Sequence, residues 1–418
     1  MHTKLFKITL GILLILFLFS TEIIFSEIET DEVLLAKIQK DSFKYFLDFT
    51  PEETGLTCDS SAIGSPCSIA AVGFYLASLT IATENNWITK QNAYERAKTV
   101  LNSLKNKAHG KNGFFYHFID PKTGKRVWGS EVSSIDTALL MAGVLLVGDY
   151  FKGTPIETTA KKLYENVQWD WMLNNSSLIS HGYKPESGFL PYYWDTYSEH
   201  LILQALAIGS PTHPIPPHLW NEWNRFEEYN NDKRIVYSFT GSLFTYQFSH
   251  AFIDFRKLYD MDINYFENST YATLANKNFC KNLSSKYITY ENNYWGLTAC
   301  LGPSGYKAYG AKPGRAYNDG TIAPYGSISS IVFTPEKSIS ALNHLYNTQK
   351  EKLYGQYGFK DAFNLDRRWF ARKYLAIDQG ITILMIENYR SELIWKYFMK
   401  LTPIKRWIDL CGLNKKNS

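Results

Sequence analysis

Six segments of the chain are apolar on nearly every helical face, namely 68–83, 133–147, 198–208, 244–258, 335–345 and 378–386. A helix that is apolar all round has no solvated face, so each of these should be buried on all sides. More amphipathic segments lie between them, among them 31–47, 90–104 and 156–171. Six buried helices alternating with six half-exposed ones predict an all-α (α/α)6 barrel, in which an outer ring of helices surrounds an inner ring.

Strand-like alternation of apolar and polar residues is brief. It occurs around 113–118 and 234–239, which predicts small β-hairpins on the rim of the barrel. No low-complexity linker interrupts the chain between about residues 31 and 399, so we expect a single domain over 27–418.

The N-terminus has the pattern of an export signal. Two lysines precede an apolar run at 8–19, which has roughly the length of a signal-peptide core and is short for a membrane span. We therefore predict a signal peptide, or an uncleaved membrane anchor, over 1–26. The rest of the protein should be periplasmic or secreted.

Composition narrows the classes of partner. The formal charge is only +4, from 44 basic and 40 acidic residues, which argues against nucleic acid as a partner. Aromatic residues make up 16% of the chain, and their flat faces can stack on the C–H faces of sugar rings as well as fill a core.

The five cysteines show no CxxC spacing and no neighbouring histidine cluster, so we expect no metal ion and no organic cofactor. In an oxidising compartment Cys58 and Cys67 could form a disulfide, or both could remain free thiols.

Polar residues interrupt the apolar helices mainly where those helices start. Glu131 and Asp136 precede or open one helix, Glu199 opens a second and Asp378 a third, while His250 marks a weaker case. If the inner helices all start at one end of the barrel, these side chains converge there. The alternative is that each one only caps its helix, since acidic and hydroxyl groups stabilise helix starts by about 0.3–1 kcal/mol.

Converging carboxyl groups with aromatic neighbours favour chemistry on glycosidic bonds. One carboxylic acid would protonate the leaving oxygen while a carboxylate activates water or attacks carbon. A serine nucleophile is not supported because the chain has no GxSxG motif, and the glycines around Gly305 lack the strand-to-helix context of a phosphate-binding loop.

Seven long segments, in order along the chain, carry a resemblance to a known family. They are WGSEVSSIDTALLMAG (128–143), GYKPESGFLPYYWDTYSEHLILQALAIGSPTHP (182–214), FSHAFIDFRKLYD (248–260), FENSTYATLANKNFC (266–280), WGLTACLGPSGYKAYGA (295–311), YGFKDAFNLD (357–366) and IDQGITILMIENYR (377–390). They resemble the bacterial glucoamylase-like domain, which includes the endo-β-1,2-glucanases of glycoside hydrolase family 144. That domain is also related to a domain of cyclic β-1,2-glucan synthases. The resemblance implies an (α/α)6 barrel, a β-glucan substrate and an inverting hydrolase.

The resemblance also implies roles for individual residues. Glu199 matches the family's best candidate for the acid, and Asp378 and Asp136 match the acidic positions opposite it. Glu131 would accept hydrogen bonds from sugar hydroxyls. Four further residues fit positions that hold sugar rings: Trp194, His213, His250 and Trp295.

Asp378 is the preferred base, because Gln379 and Gly380 should leave room for water while Ile135 and Leu140 crowd Asp136. An inverting pair of carboxyl groups should stand about 6.5–9.5 Å apart.

Two positions depart from the family pattern. The family usually has an aspartate where this chain has Leu301, and an arginine where it has Tyr193. The prediction is an exported, monomeric endo-β-1,2-glucanase. The alternatives left open are a glucan transglycosylase that uses the same cleft and a periplasmic glucan-binding protein without activity.

Overall fold

The computed structural model describes residues 31–230, 232–312 and 315–413. The predicted signal peptide or anchor at 1–26 lies outside these ranges. None of the helices within them combines the length and the apolar character that crossing a bilayer would require.

Helices dominate the described chain. In chain order they are α1 (31–48), α2 (Ile69–Glu84), α3 (Lys90–Asn106), α4 (Ser134–Tyr150), α5 (Pro155–Glu165), α6 (Leu201–Gly209), α7 (Phe244–Phe252), α8 (Tyr265–Asn282), α9 (Ile288–Glu291), α10 (Pro324–Ile328), α11 (Pro335–Leu353), α12 (Ala376–Arg390), α13 (Leu393–Phe398) and α14 (Thr402–Leu410). Short 3-10 helices span Trp169–Leu173, Pro217–Asn221 and Phe255–Lys257.

Helices α2, α4, α6, α7, α10 and α12 form the inner ring. Neighbouring members pack on one another from α2 to α4, α6 and α7, and α12 closes the ring by packing on α2 and α10. Between α7 and α10, the side-chain amide of Gln247 donates a hydrogen bond of 2.8 Å to the carbonyl of Gly326. The outer ring comprises α3, α5, α8, α11 and α14, while α13 packs against α4, α7 and α12. Helix α1 also lies outside the inner ring, where Gln39 donates a hydrogen bond of 3.0 Å to the carbonyl of Ile383 in α12. The prediction of an (α/α)6 barrel is confirmed.

The contact between α2 and α4 depends on glycine. A Cβ on Gly73 would lie 2.3 Å from the carbonyl oxygen of Leu139, and one on Gly143 would lie 2.1 Å from that of Gly73. The two backbones therefore approach more closely than any side chain at these positions would allow. Both apolar helices are buried along almost their whole length.

Most of the predicted helices agree with the structure, but one of the six predicted inner helices lies in the outer ring. Segment 335–345 belongs to α11, which exposes lysine and glutamate side chains and lies in the outer ring. The inner helix at that position is the short α10. Segment 244–258 is also shorter than predicted, because α7 ends at Phe252 and a 3-10 helix follows.

All strands in the described chain are short. They are β1 (Cys67–Ser68), β2 (Gly110–Lys111), β3 (Phe114–Phe115), β4 (Phe118–Ile119), β5 (Val132–Ser133), β6 (Gly182–Lys184), β7 (Gly188–Phe189), β8 (Glu227–Asn230), β9 (Lys233–Val236), β10 (Ala299–Gly302), β11 (Gly305–Ala308), β12 (Tyr354–Gly355), β13 (Gly358–Phe359), β14 (Phe363–Asn364) and β15 (Trp369–Phe370). They pair antiparallel as β1–β4, β2–β3, β5–β6–β7, β8–β9, β10–β11, β12–β13 and β14–β15.

Several of these pairs lie directly before inner helices and tie their starts together. Ser68, before α2, pairs with Phe118, and Ser133, before α4, pairs with Gly182. Leu375, before α12, pairs with Ser60. The inner helices therefore start at one end of the barrel, as the convergence of acidic residues requires.

Candidate active site

Carboxyl groups from separate parts of the chain meet at the end of the barrel where the inner helices start. Asp136 lies in the first turn of α4, Glu199 just before α6, and Asp378 in the first turn of α12. Two further carboxyl groups join them from loops and hairpins, Asp59 and Asp361. The sequence predicted the three helical positions but missed the other two.

A histidine that the sequence analysis did not single out connects two of the acidic residues. His117 lies between β3 and β4, with its Nδ1 2.9 Å from Oε1 of Glu131 and its Nε2 3.6 Å from Oδ1 of Asp136. The ring stacks on Phe118 at a centroid distance of 3.9 Å. This geometry fixes the imidazole between the two carboxylates.

The charges in this cluster stabilise the imidazolium form of His117. Burial alone would lower its pKa, but the charge of Asp136 and the hydrogen bond with Glu131 raise the pKa to about 9. The same hydrogen bond lowers the pKa of Glu131 to about 2. At neutral pH the imidazolium of His117 is therefore paired with the carboxylate of Glu131.

Among the described residues, His117, Glu131 and Asp136 are also the group whose donor atoms lie close enough, within 4.8 Å of one another, to hold a metal ion. A metal requires a neutral imidazole, so binding one here would displace the proton of His117.

Glu199 occupies a sheltered position at the start of α6. Only 8% of the residue is exposed, and its backbone carbonyl accepts a hydrogen bond of 2.6 Å from Ser249. Burial raises the pKa of Glu199 to about 7, opposed by a hydrogen bond from Ser198 and assisted by the negative charge of Asp136. A carboxyl group with such a pKa is protonated in a large fraction of molecules at neutral pH and can donate its proton.

Asp136 takes part in capping its own helix. The hydroxyl of Ser133 accepts a hydrogen bond of 3.2 Å from the backbone N–H of Asp136 and donates one to Oδ2 of the same residue. The other oxygen, Oδ1, faces His117. The capping alternative therefore has support at Asp136, and both oxygens of this carboxylate already have partners.

Asp378 and Asp361 form a buried pair of carboxyl groups lining one small cavity. Burial raises the pKa of Asp378 well above its usual range, and the neighbouring charge of Asp361 raises it further. Burial also raises the pKa of Asp361 to about 7, although the N–H of Leu301 donates it a hydrogen bond of 2.7 Å. Two adjacent carboxyl groups in such a setting share one proton, because the doubly ionised pair is electrostatically unfavourable.

The environment of Asp378 differs from what the sequence suggested. No side chain caps α12, and Oδ2 of Asp378 is buried without a hydrogen-bond partner, so capping does not account for this residue. The expected space beside Gly380 is also absent, because a Cβ there would lie 2.4 Å from the Cβ of Phe74. Gly380 allows α12 to pack against α2 and does not make room for water.

Asp59 and Tyr306 complete the site between the two clusters. Asp59 comes directly before Ser60, which pairs with Leu375 at the start of α12. The carbonyl of Asp59 accepts a hydrogen bond of 2.8 Å from the backbone N–H of Ala376. Burial raises its pKa to about 6, which the charge of His117 opposes. Tyr306 is half exposed on the β10–β11 hairpin and interacts electrostatically with Asp378 and Asp361. Neither lies in a periodic pattern that sequence analysis could detect.

Cys58 and Cys67, on either side of the loop that carries Asp59, pair directly across a β-bridge, and both are free thiols in this structure.

Trp194 lies close to the carboxyl groups, but its ring faces are occupied. It stacks on His181 at 4.0 Å and on His200 at 5.8 Å, and its Nε1 donates a hydrogen bond of 3.0 Å to Ser134. Its ring is thus part of the wall of the site and does not present a face for a sugar.

No contact described for the other three predicted sugar-binding residues joins them to these carboxyl groups. His213 follows the far end of α6 and lies 3.8 Å from Asp170. His250 is fully buried, with its Nε2 2.9 Å from Ser269, and burial lowers its pKa to about 3. Trp295 is buried as well, at 2% exposure. Core packing explains His250 and Trp295.

The two departures from the family pattern have clear positions. Leu301 lies on β10 opposite Tyr306, and its backbone N–H donates the hydrogen bond of 2.7 Å to Asp361. Tyr193 pairs with Ser180 through a β-bridge near Asn174 on the surface. Leu301 thus contributes to the site through its backbone, without a carboxylate of its own.

Comparison with known proteins places the chain in one family. The sequence model of the glycoamylase family, described as "Putative glucoamylase", matches residues 191–402. An exo-β-1,2-glucooligosaccharide sophorohydrolase (non-reducing end) of Parabacteroides distasonis is 28% identical over 419 residues, covering 91% of this chain. The chain spans only 58% of the length of that relative.

Two solved structures are similar along most of the chain. An endo-β-1,2-glucanase from Chitinophaga pinensis, in complex with sophorotriose and glucose, has a TM-score of 0.86 at 27% identity and covers 91% of this chain and 98% of its own. A β-1,2-glucanase from Parabacteroides distasonis has a TM-score of 0.86 at 26% identity and covers 91% of this chain and 60% of its own.

Proposed function

We propose that this chain, which belongs to the glycoamylase family, is a glycoside hydrolase that cleaves β-1,2-linked glucan. Relatives named for that substrate support the linkage. The carboxyl groups at the end of the barrel where the inner helices start support the reaction type, since glycoside hydrolysis needs one carboxylic acid and one carboxylate on either side of the bond.

The observation that carries the proposal is the buried position of Glu199 at the start of α6. Its burial raises its pKa to about 7, so it can protonate the glycosidic oxygen as the bond from that oxygen to the anomeric carbon breaks. Water adds to the anomeric carbon and gives up a proton to a second carboxylate. The products are two shorter sugars, and the enzyme returns to its starting state by exchanging protons with solvent.

We assign the role of base to Asp378, assisted by Asp361. The shared proton leaves one negative charge on the pair, and a shift of that proton onto Asp361 leaves Asp378 able to accept the proton from water. Asp136 is the weaker candidate, because Ser133 and His117 already engage its two oxygens.

We propose that the reaction inverts the anomeric configuration, as the family resemblance implies. Glu199 precedes α6 and Asp378 lies in the first turn of α12, so the acid and the base come from different helix starts. A covalent mechanism needs a nucleophile at about 5–5.5 Å from the acid, whereas an inverting one needs about 6.5–9.5 Å between the two carboxyl groups, so that a water fits between the base and the sugar.

The cluster formed by His117, Glu131 and Asp136 would hold the sugar chain. The carboxylates can accept hydrogen bonds from sugar hydroxyls, and the imidazolium keeps them charged and fixed in position. These contacts would orient the glucan so that the linkage to be cleaved lies next to Glu199.

The test is incubation of the purified protein with linear β-1,2-, β-1,3- and β-1,4-glucan, followed by analysis of the products and proton NMR of the new reducing ends. We expect cleavage of the β-1,2-linked glucan and first appearance of the α-anomer. Cleavage of another glucan alone would refute the linkage, and first appearance of the β-anomer would refute inversion.

Export remains a proposal that the sequence alone supports, through the basic start and the apolar run at 8–19. N-terminal sequencing of the protein from membrane and soluble fractions tests it, and an intact N-terminus on soluble protein retained inside the cell would contradict it.

A further inference from the structure

Trp128 occupies the tip of a tight turn whose geometry is unfavourable for tryptophan. The backbone N–H of Ser130 donates a hydrogen bond of 3.1 Å to the carbonyl of Val127, which closes a four-residue turn. Both central residues have positive φ, 56° at Trp128 and 58° at Gly129. Positive φ at both central residues is the requirement of a type I′ turn, in which asparagine, aspartate or glycine is favoured at the first central position.

The side chain gains little from packing in compensation. The residue is 72% exposed, so its ring is not part of the core. A bulky residue with positive φ is an outlier, and such strain persists mainly where function requires it. Neither turn preference nor core packing explains a tryptophan here.

The turn lies next to the acidic cluster. The Trp128 ring contacts Phe118 at a centroid distance of 5.2 Å, and Phe118 stacks on His117. Glu131 follows the turn directly, and the hydroxyl of Ser130 donates a hydrogen bond of 2.9 Å to the carbonyl of Phe118. The indole therefore stands at the edge of the site, one ring away from the imidazolium.

The turn is also held firmly in place. The guanidinium of Arg126 donates a hydrogen bond of 2.5 Å to the carbonyl of Ser130 and a second, of 3.0 Å, to Glu186. The Cζ of Arg126 lies 4.8 Å from the centre of the Tyr116 ring. A fixed, solvent-facing aromatic plane beside a polar cluster is what recognition of a sugar ring requires.

We propose that Trp128 is a stacking platform for one glucose ring of the glucan, beyond the linkage that is cleaved. This inference rests on the proposed function and adds a binding position to it. The C–H face of the sugar packs on the indole, while the sugar hydroxyls stay in water or reach the carboxylates nearby. The platform acts on chains long enough to reach it.

The test uses Trp128→Asn, which removes the ring and restores a residue that the turn favours. We expect the variant to be at least as heat-stable as the wild type, because backbone strain is relieved. For linear β-1,2-glucan its KM should rise about tenfold, the effect of losing one aromatic contact of this kind, with little change in kcat. For sophorotriose both constants should stay within about twofold of the wild type, since a short substrate need not reach the platform.

Two further variants control the experiment. Met261 also has a positive φ, 55°, and is 52% exposed, but it lies in the turn at 260–263, next to the segment that pairs with Leu413 after α14. Met261→Asn should relieve the same kind of strain and leave both KM values unchanged. Trp128→Tyr keeps an aromatic face and should recover most of the affinity for the long chain.

The outcomes separate this inference from the proposed function. An unchanged KM of Trp128→Asn for long β-1,2-glucan would overturn the platform while leaving the hydrolase in place. If the wild type cleaves no β-1,2-glucan, calorimetric titration of the polymer into both proteins decides. Weaker binding by the variant would support the platform, and equal binding or no binding by either protein would overturn it.

Discussion

Nε2 of His117 lies 3.6 Å from Oδ1 of Asp136. This contact joins the short strands before α4 to the first turn of that helix. Its other ring nitrogen is hydrogen-bonded to Glu131. One side chain thus sets the position and the charge of two carboxylates, and the consequences reach both stability and activity.

Replacement of His117 by glutamine should change how stability depends on pH. The pKa of His117 is about 9 in the folded protein, against 6.5 for an unperturbed histidine. Its contribution to stability is therefore fully present below about pH 6.5 and is lost as the pH rises through about 9. The melting temperature should fall less between these two pH values in His117→Gln than in the wild type, and kcat/KM should drop by about tenfold or more.

His218→Gln is the matched control, because His218 is exposed on a 3-10 helix that follows the far end of α6. It should behave like the wild type in both measurements. An identical pH dependence of melting in His117→Gln and the wild type would show that His117 is not held as a cation.

Separate substitutions distinguish the two members of the Asp361–Asp378 pair. Asp378→Asn should lower kcat by about a hundredfold, because it removes the base. It should not lower stability, because the carboxyl group that it removes is buried and poorly solvated. Asp361→Asn should keep kcat within about tenfold. It should also shift the acidic limb of the pH–rate profile to lower pH, because Asp378 then ionises without a like charge beside it. Loss of stability with an unchanged rate in Asp378→Asn would mean a structural role only.

Substitution of Asp260 measures how much a buried ion pair outside the active site contributes to stability. Its Oδ2 accepts hydrogen bonds from Arg225 at 2.8 Å and from the Tyr265 hydroxyl at 2.6 Å, in buried surroundings. Asp260→Ala leaves a buried guanidinium without its partner and should lower the free energy of unfolding by about 3–5 kcal/mol. Asp262→Ala, which breaks an exposed pair with Arg234, should cost less than about 1 kcal/mol. Chemical denaturation of both variants measures the difference, and equal losses would contradict this assignment.

The inner helices could be predicted because a helix apolar on every face has only one possible location. That signal fails for α10, which at five residues is too short to show a helical period. The apolar pattern at the start of the neighbouring α11 predicts the inner helix there instead. The ring position of a helix is set by tertiary packing, and the composition of one segment reveals it only when the segment is long.

The acidic residues of the site were predictable where they open helices. Asp59, His117 and Asp361 come from short strands and loops, where no periodicity exists and only the folded chain shows which residues meet. His250 and Trp295 show the reverse, since their residue types suggest sugar binding while the fold buries them. Trp128 lay within a segment that carried the family resemblance, but its turn geometry and exposure are visible only in three dimensions.

The most direct test of the account is the pH dependence of kcat/KM for linear β-1,2-glucan, measured for the wild type and for Glu199→Gln over about pH 5 to about 9. With a pKa of about 7, Glu199 loses its proton as the pH rises, so wild-type activity should fall above about pH 7. The folded Glu199→Gln variant should lose activity by about a hundredfold or more and should lack this alkaline limb, because no proton is available at that position. Activity of Glu199→Gln within a few fold of the wild type, with the alkaline limb retained, would contradict the account.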